Sequence, residues 1–157
     1  MQLRDHFLRT FEFNIQANLR IADALRAVDD GIDEAVRLYA HILNAEKIWF
    51  LRLEGFDTGT ATPWDVLTLN ECVNLARITA ETARGFLARL GEADFDQLVH
   101  YRNTHGDLFH NTIADILSHL SHHGAYHRAQ INRILRERGA TPAAVDFITL
   151  AREGTNR

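Results

Sequence analysis

The segment from Asp115 to Arg136 combines helical periodicity with an unusual number of histidines. Within its sequence, DILSHLSHHGAYHRAQINRILR, the histidines are His119, His122, His123 and His127. Apolar residues recur here every three or four positions, which is typical of one long amphipathic helix. Side chains four residues apart lie one turn above each other, so two of these imidazoles can reach one metal ion. The segment therefore predicts a helix that carries part of a metal site.

Three other segments repeat apolar residues at the same spacing, which indicates a bundle of helices. The predicted elements are long helices over about residues 3–28, 33–53, 68–90 and 111–138, a hairpin over 98–110 and a short helix within 143–152. Gly106 is expected to supply the turn of the hairpin. This pattern predicts an all-α fold, an up-down four-helix bundle with a small β-hairpin before the last long helix and a short C-terminal helix.

Composition and charge narrow the classes of protein that the chain can belong to. The 157 residues are 46% hydrophobic and 24% charged, which predicts one globular domain over residues 1–157. A formal net charge of −4 gives no general attraction to nucleic acid, and no apolar run is long enough to span a membrane. The single cysteine, Cys72, fits a reducing cytoplasm. We therefore expect a cytoplasmic protein with neither nucleic acid nor membrane as a partner.

Helical geometry separates the four histidines of the last long helix. If Leu120 marks the centre of the buried face, His127 lies roughly 20° and His123 roughly 60° from it, at about 100° per residue. His119 lies roughly 100° away, on the flank, and His122 faces water. His119 and His127 are also about 12 Å apart along the axis, too far to hold one ion. His123 and His127 are therefore the predicted pair of ligands.

A third ligand must come from another helix, and His41 is the best candidate. It falls roughly 40° from Ala45, inside the apolar face of the second helix, whereas His6 is less favoured near the chain end. Three neutral imidazoles from two helices would leave a position open for water or substrate, as in catalytic zinc sites. Zinc or nickel is the expected ion, with iron or manganese as alternatives, since all accept such ligands. The competing interpretation is a set of core histidines without a metal.

Two better-known metal motifs do not match the chain. A zincin helix needs Glu inside its HExxH motif, and Gly124 stands at that position between His123 and His127. A ferritin-like di-iron centre needs Glu-x-x-His pairs on two helices, and the sequence contains none.

At these residues the sequence resembles the DinB/YfiT-like superfamily of metal-dependent enzymes. The matching stretches are AHILNAEKIWFLRL (40–53), HGDLFHNTIADIL (105–117), HLSHHGAYHRAQI (119–131) and VDFITLARE (145–153). The resemblance implies a four-helix bundle, often dimeric, whose metal is held by three histidines. Position by position, these match His41, His123 and His127. One departure is Ala129, where the family often has glycine after His-Arg, and alanine favours the helix.

The resemblance implies two activities, metal-dependent hydrolysis and transfer of a low-molecular-weight thiol. The alternatives are a stress-related bundle that binds a metal or ligand without turnover, and a purely structural dimer. We expect a homodimer, with the exposed parts of the first and fourth helices as possible surfaces, and a small-molecule substrate or thiol as a partner. No general base is assigned, because Glu46 and Asp115 are equally well explained as a solvated helix residue and a cap.

Overall fold

Four long α-helices form the body of the molecule and lie close to the predicted positions. The computed structural model describes residues 2–155, with side chains to residue 153. The elements are α1 (Leu3–Arg26), α2 (Asp33–Leu53), α3 (Leu69–Arg89), a 3-10 helix (Glu92–Asp96), β1 (Leu98–Arg102), β2 (Leu108–Thr112), α4 (Ile113–Glu137) and α5 (Phe147–Thr155). The predicted helical bundle with a hairpin and a short last helix is confirmed. Residues 1, 156 and 157 of the predicted domain lie outside the described residues.

The start of α4 is fixed by the hairpin that precedes it and by a capping box. β1 and β2 are antiparallel, and Leu98 pairs with Thr112 at the end of the ladder. The Thr112 hydroxyl accepts a hydrogen bond from the Asp115 amide at 3.0 Å, and the Asp115 carboxylate accepts one from the Thr112 amide at 3.2 Å. These bonds satisfy amides that the first turn of a helix leaves free. The predicted cap is confirmed, and it fixes the residue at which α4 begins.

The four long helices pack so that α2 and α4 are neighbours. α1 contacts α3 and α4, α2 contacts the same two helices, and α1 and α2 lie across the bundle from each other. α1 and α2 run in opposite directions, and so do α3 and α4. α2 and α3, however, run parallel and so depart from the predicted up-down order, since Glu46 lies beside Thr79 and Glu54 contacts Arg89. Residues 54–68 make the long connection between them, and residues 63–65 of it lie over the boundary between α2 and α4, the α2–α4 seam.

The interior consists of two apolar clusters with a polar layer between them. One cluster gathers Ile21, Leu25, Tyr39, Ile42, Ile131 and Leu135, with others, and the second gathers Phe7, Phe11, Phe50, Phe86, Leu117 and Leu120, with others. Burying a large apolar side chain contributes about 1.5–3 kcal/mol, so these clusters dominate the stability. None of the described helices is long and apolar enough to cross a membrane.

Candidate metal centre

Three imidazoles from distant parts of the chain meet at the α2–α4 seam. They belong to His41 of α2 and to His123 and His127 of α4, and one ring nitrogen of each lies within 4.8 Å of the others. Their ring centroids are 4.8, 4.7 and 4.6 Å apart, so the rings form a nearly equilateral triangle. The Nε2 atoms of His41 and His123 are 3.0 Å apart. The structure thus brings together the three histidines that the sequence singled out.

The other histidines lie outside this triangle. His119 and His122 are exposed on α4, and the His119 ring contacts the edge of Trp49. His6, His100, His105 and His110 are also exposed. The structure therefore agrees with the helical angles calculated from the sequence. Of the histidines on α4, only His123 and His127 turn towards His41.

Two of the three rings are held by hydrogen bonds from the nitrogen that faces away from the triangle. His41 Nδ1 donates to the carbonyl oxygen of Pro63 at 3.0 Å, and His127 Nδ1 donates to Oε1 of Gln130 at 2.8 Å. A proton on Nδ1 leaves the lone pair on Nε2 in a neutral ring, which is how outer partners orient metal-binding histidines. Trp64 adds a stacking contact, with its ring 3.6 Å from that of His41 and 11° from parallel.

Burial favours the neutral, metal-binding form of two of the rings, those of His41 and His123. Loss of hydration lowers the pKa of His41 and lowers the pKa of His123 to about 3. The imidazoles of His127, His41 and His119 and the guanidinium of Arg128 lower the pKa of His123 further, because they repel its positive form. Metal ligation requires an unprotonated nitrogen, so His41 and His123 are ready to bind an ion at neutral pH.

The same pKa values predict that metal-free protein loses stability as the pH falls below about 6.5, the ordinary histidine value. Between pH 6.5 and about 3 the unfolded chain binds a proton at His123 that the folded chain does not. The unfolded state is therefore favoured as acid is added. Thermal unfolding of metal-free protein from pH 7.5 to 5 should show a falling Tm, and His123→Asn should flatten that fall. An equal fall of the Tm in the variant would contradict the assignment of this pH dependence to His123.

The triangle has the donors and the spacing that a divalent ion needs. Nitrogens bound tetrahedrally to zinc at about 2.0–2.1 Å lie about 3.3 Å from each other, close to the 3.0 Å between His41 Nε2 and His123 Nε2. The remaining distances are no longer than 4.8 Å, so His127 completes the set with a small movement of its ring. Three imidazoles leave at least one coordination position open. The cluster could hold a metal ion, and zinc, nickel, iron and manganese all accept such donors.

A cavity of about 300 Å³ adjoins the triangle on the side of His123. Its walls come from α2, α4, the 54–68 connection and the tip of the hairpin. The lining residues are Ala45, Ile48, Trp49, Arg52, Ala61, Pro63, Asn103, Thr104, His119 and His123. His119 is therefore not a member of the triangle but part of the wall of this neighbouring cavity.

Behind the triangle, a buried hydrogen-bonded network fastens α4 to α1 and α2. Arg128 is only 1% exposed, and its guanidinium donates to the side-chain oxygens of Asn18 at 2.9 Å and Asn14 at 2.8 Å. Asn18 in turn donates to a Glu46 oxygen at 2.9 Å. A Cβ at Gly124 would lie 2.7 Å from Arg128 Nη1, so glycine provides the space for the guanidinium. The network sets the position of the helix next to His127.

The interpretation of Glu46 as a solvated residue is wrong. Glu46 is 8% exposed, and burial raises the pKa of its carboxyl group, which bonds to Asn18 in the interior. It does not line the cavity beside the triangle. Asp115 is the cap of α4. Neither carboxylate is placed to act as a base there.

Sequence reasoning missed the residues that support the triangle. Gln130 could have been found, because residues three apart on a helix are neighbours and glutamine can accept from a histidine. Pro63 and Trp64 carried no signal, because they lie in an irregular connection whose path depends on the whole fold.

With this geometry established, comparison with known proteins identifies the family. The family model of the DinB family matches residues 5–156. The chain belongs to the DinB family. Among solved structures, this DinB-family chain is similar to a DinB-like protein from Bacillus cereus ATCC 10987, with a TM-score of 0.68 and 16% identity over 90% of this chain and 97% of the other. That likeness supports the fold. A search of curated proteins finds no match.

Proposed function

We propose that this DinB-family protein binds one divalent metal ion through His41, His123 and His127 and acts on a small molecule at the open coordination position. The observation that carries the proposal is the convergence of three imidazoles, two of them oriented from behind by Pro63 and Gln130. Zinc or nickel is the expected ion.

The residues around the triangle have separate tasks in this proposal. A divalent ion at this site supplies Lewis acidity towards a water or thiol at its open position. The Pro63 carbonyl and the Gln130 amide fix the orientation of two of the rings. Trp64 covers one face of His41 and excludes water there. The adjoining cavity gives the substrate access from the side of His123.

Of the two activities, the cavity wall favours transfer of a thiol over hydrolysis. Hydrolysis uses a general base near the attacking water, and among the described residues that line the cavity only His119, an exposed histidine outside the triangle, could fill that role. A thiol that is bound to a metal as thiolate needs no such base. We therefore place thiol S-transferase first and metal-dependent hydrolase second. A binding protein without turnover is the third candidate.

An activity screen with matched variants tests this order. Untagged protein loaded with zinc or nickel is incubated with a glutathione-type thiol and a chlorinated aromatic electrophile, and separately with ester and amide substrates. The S-transferase proposal predicts thioether formation that His123→Ala abolishes and His122→Ala, an exposed histidine on the same helix, retains. Ester or amide cleavage with that pattern would favour the hydrolase. Metal binding without either reaction would favour the binding protein.

Gln130→Leu is predicted to weaken metal binding about 10–100-fold, the usual effect of removing an outer partner of a ligand. The leucine cannot accept the hydrogen bond from His127 Nδ1, so that ring loses its orientation. Gln130→Glu keeps an acceptor oxygen and should retain the affinity. Zinc titration against a competing chelator measures both variants. Equal affinity for wild type and Gln130→Leu would show that this bond does not support the ligand.

A further inference from the structure

Arg52 is a buried cation on the same face of α2 as His41. It is 9% exposed, and its guanidinium carbon lies 4.7 Å from the ring centre of Trp49 and 5.1 Å from that of Tyr101. Eleven residues separate it from His41, which corresponds to about 16 Å along the helix and about 20° around it. Helical side chains lean towards the N-terminus, so Arg52 points back towards the histidine triangle. Arg52 and His123 line the same cavity.

The guanidinium of Arg52 has no acceptor in the described part of the chain. Its Nε atom is buried without a hydrogen-bond partner, and no carboxylate of residues 2–153 forms an ion pair with it. The hydroxyl of Tyr101 is used elsewhere, since it donates to Asn111 at 2.7 Å. A buried charge without a partner is costly unless a ligand supplies one. By contrast, the more deeply buried Arg128, whose Nε also has no partner, donates from its two terminal nitrogens to Asn18 and Asn14.

The surroundings of Arg52 fit the anionic end of an elongated molecule. Trp49 and Tyr101 hold the guanidinium by cation–π contacts, which leave its N–H groups available. A guanidinium in a fixed orientation can donate two parallel hydrogen bonds to a carboxylate or phosphate. Between Arg52 and His123 the cavity has apolar walls from Ala45 and Ile48. The complementary ligand has an oxyanion at one end and an apolar body.

We propose that Arg52 binds the carboxylate or phosphate group of a small-molecule substrate whose apolar body occupies the cavity and whose other end reaches the histidine triangle. The placement of the other end at the histidine triangle rests on the proposed function, whereas the binding of the oxyanion to Arg52 does not. Arg52 would thereby select acids with an apolar body over neutral molecules of the same shape. Burial lowers the pKa of Arg52, but an arginine remains charged at neutral pH.

Calorimetric binding to the metal-free, full-length protein tests the oxyanion site. The probes are 3-phenylpropionate, phenyl phosphate and the neutral 3-phenylpropionamide. The proteins are wild type, Arg52→Met, Arg52→Lys and Arg89→Met, where Arg89 is a neighbouring exposed cation that pairs with Glu54. Wild type and Arg89→Met should bind one or both anions at least about tenfold more tightly than the amide. Arg52→Met should lose that preference, and Arg52→Lys should recover part of it.

Stability provides a second readout that separates ligand binding from a structural role. Because Arg52 has no hydrogen-bond partner among the described residues and loses only its cation–π contacts, Arg52→Met should change the stability by no more than about 2 kcal/mol. A large fall in Tm would assign Arg52 to the structure. Equal affinity for acid and amide in wild type, or an unchanged preference in Arg52→Met, would overturn the proposal, as would failure of wild type to bind either anion.

Repeating the binding with zinc present distinguishes this inference from the proposed function. If the anion preference depends on Arg52 but zinc does not bind, the oxyanion site stands and the metal proposal fails. If zinc binds and the anion preference is absent, the oxyanion site alone fails. The probe that binds more tightly, the carboxylate or the phosphate, shows which acidic group the ligand of Arg52 carries.

Discussion

His41→Ala, His123→Ala and His127→Ala are each expected to lower the affinity for a divalent ion by more than about 100-fold. Loss of an outer partner of a ligand already costs about 10–100-fold, and loss of the ligand itself must cost more. Each variant leaves two imidazoles, which is fewer than the three protein ligands of a catalytic zinc site. Competition between protein and a chromogenic chelator for zinc measures the affinities.

His119→Ala is the matched control, because it removes an imidazole from the same helix that lies outside the triangle. Its affinity for zinc should equal that of wild type. Equal affinities of wild type and His41→Ala for zinc would contradict the three-histidine site. A loss of affinity in His119→Ala as large as in His127→Ala would show that the ligand set had been chosen wrongly.

Arg128→Met is expected to destabilise the fold by about 3 kcal/mol, in the range for removing one partner from a buried charged network. The substitution leaves the side-chain oxygens of Asn14 and Asn18 without their donor, and it removes the positive charge near Glu46. At about 2–4 °C per kcal/mol for a chain of this size, the Tm should fall by about 6–12 °C. Calorimetry of metal-free protein gives the shift without any contribution from an ion.

Two further substitutions on α4 test this reasoning. Arg133→Met removes an exposed arginine that pairs with Glu137, and it should change stability by less than about 1 kcal/mol. Gly124→Ala should destabilise wild type, because its Cβ would collide with the Arg128 guanidinium. In the Arg128→Met background the same change should stabilise by up to about 1 kcal/mol through helix propensity. Independent, additive effects of the two substitutions would contradict the proposed steric relation between residues 124 and 128.

The fold and the three histidines could be predicted because both depend on helical periodicity. A residue's angle around a helix follows from its number, so His123, His127 and His41 could be assigned to inner faces before any packing was known. The capping box of Thr112 and Asp115 is a local pattern of the same kind. The order of the helices around the bundle was less accessible, because the parallel arrangement of α2 and α3 depends on the path of residues 54–68.

The polar interior and the supporting residues could not be derived from periodicity alone. Glu46 and Arg128 are charged residues of the kind that usually lie on the solvated face of a helix, and only packing among three helices buries them. Arg52 looks like an ordinary cation near a helix C-terminus, where arginine is common. Its position between Trp49 and Tyr101 depends on how the hairpin folds back over α2. These residues are determined by tertiary packing and not by their neighbours in the sequence.

The most direct test of the central claim is anomalous X-ray scattering from crystals of untagged protein grown with zinc or nickel. Data collected on both sides of the metal absorption edge locate the ion independently of the protein density. We predict a single peak per chain at about 2.0–2.3 Å from one nitrogen each of His41, His123 and His127, with at least one further coordination position open to the cavity. Crystals without a peak at the α2–α4 seam, or with peaks only at the exposed histidines of the hairpin, would contradict the account.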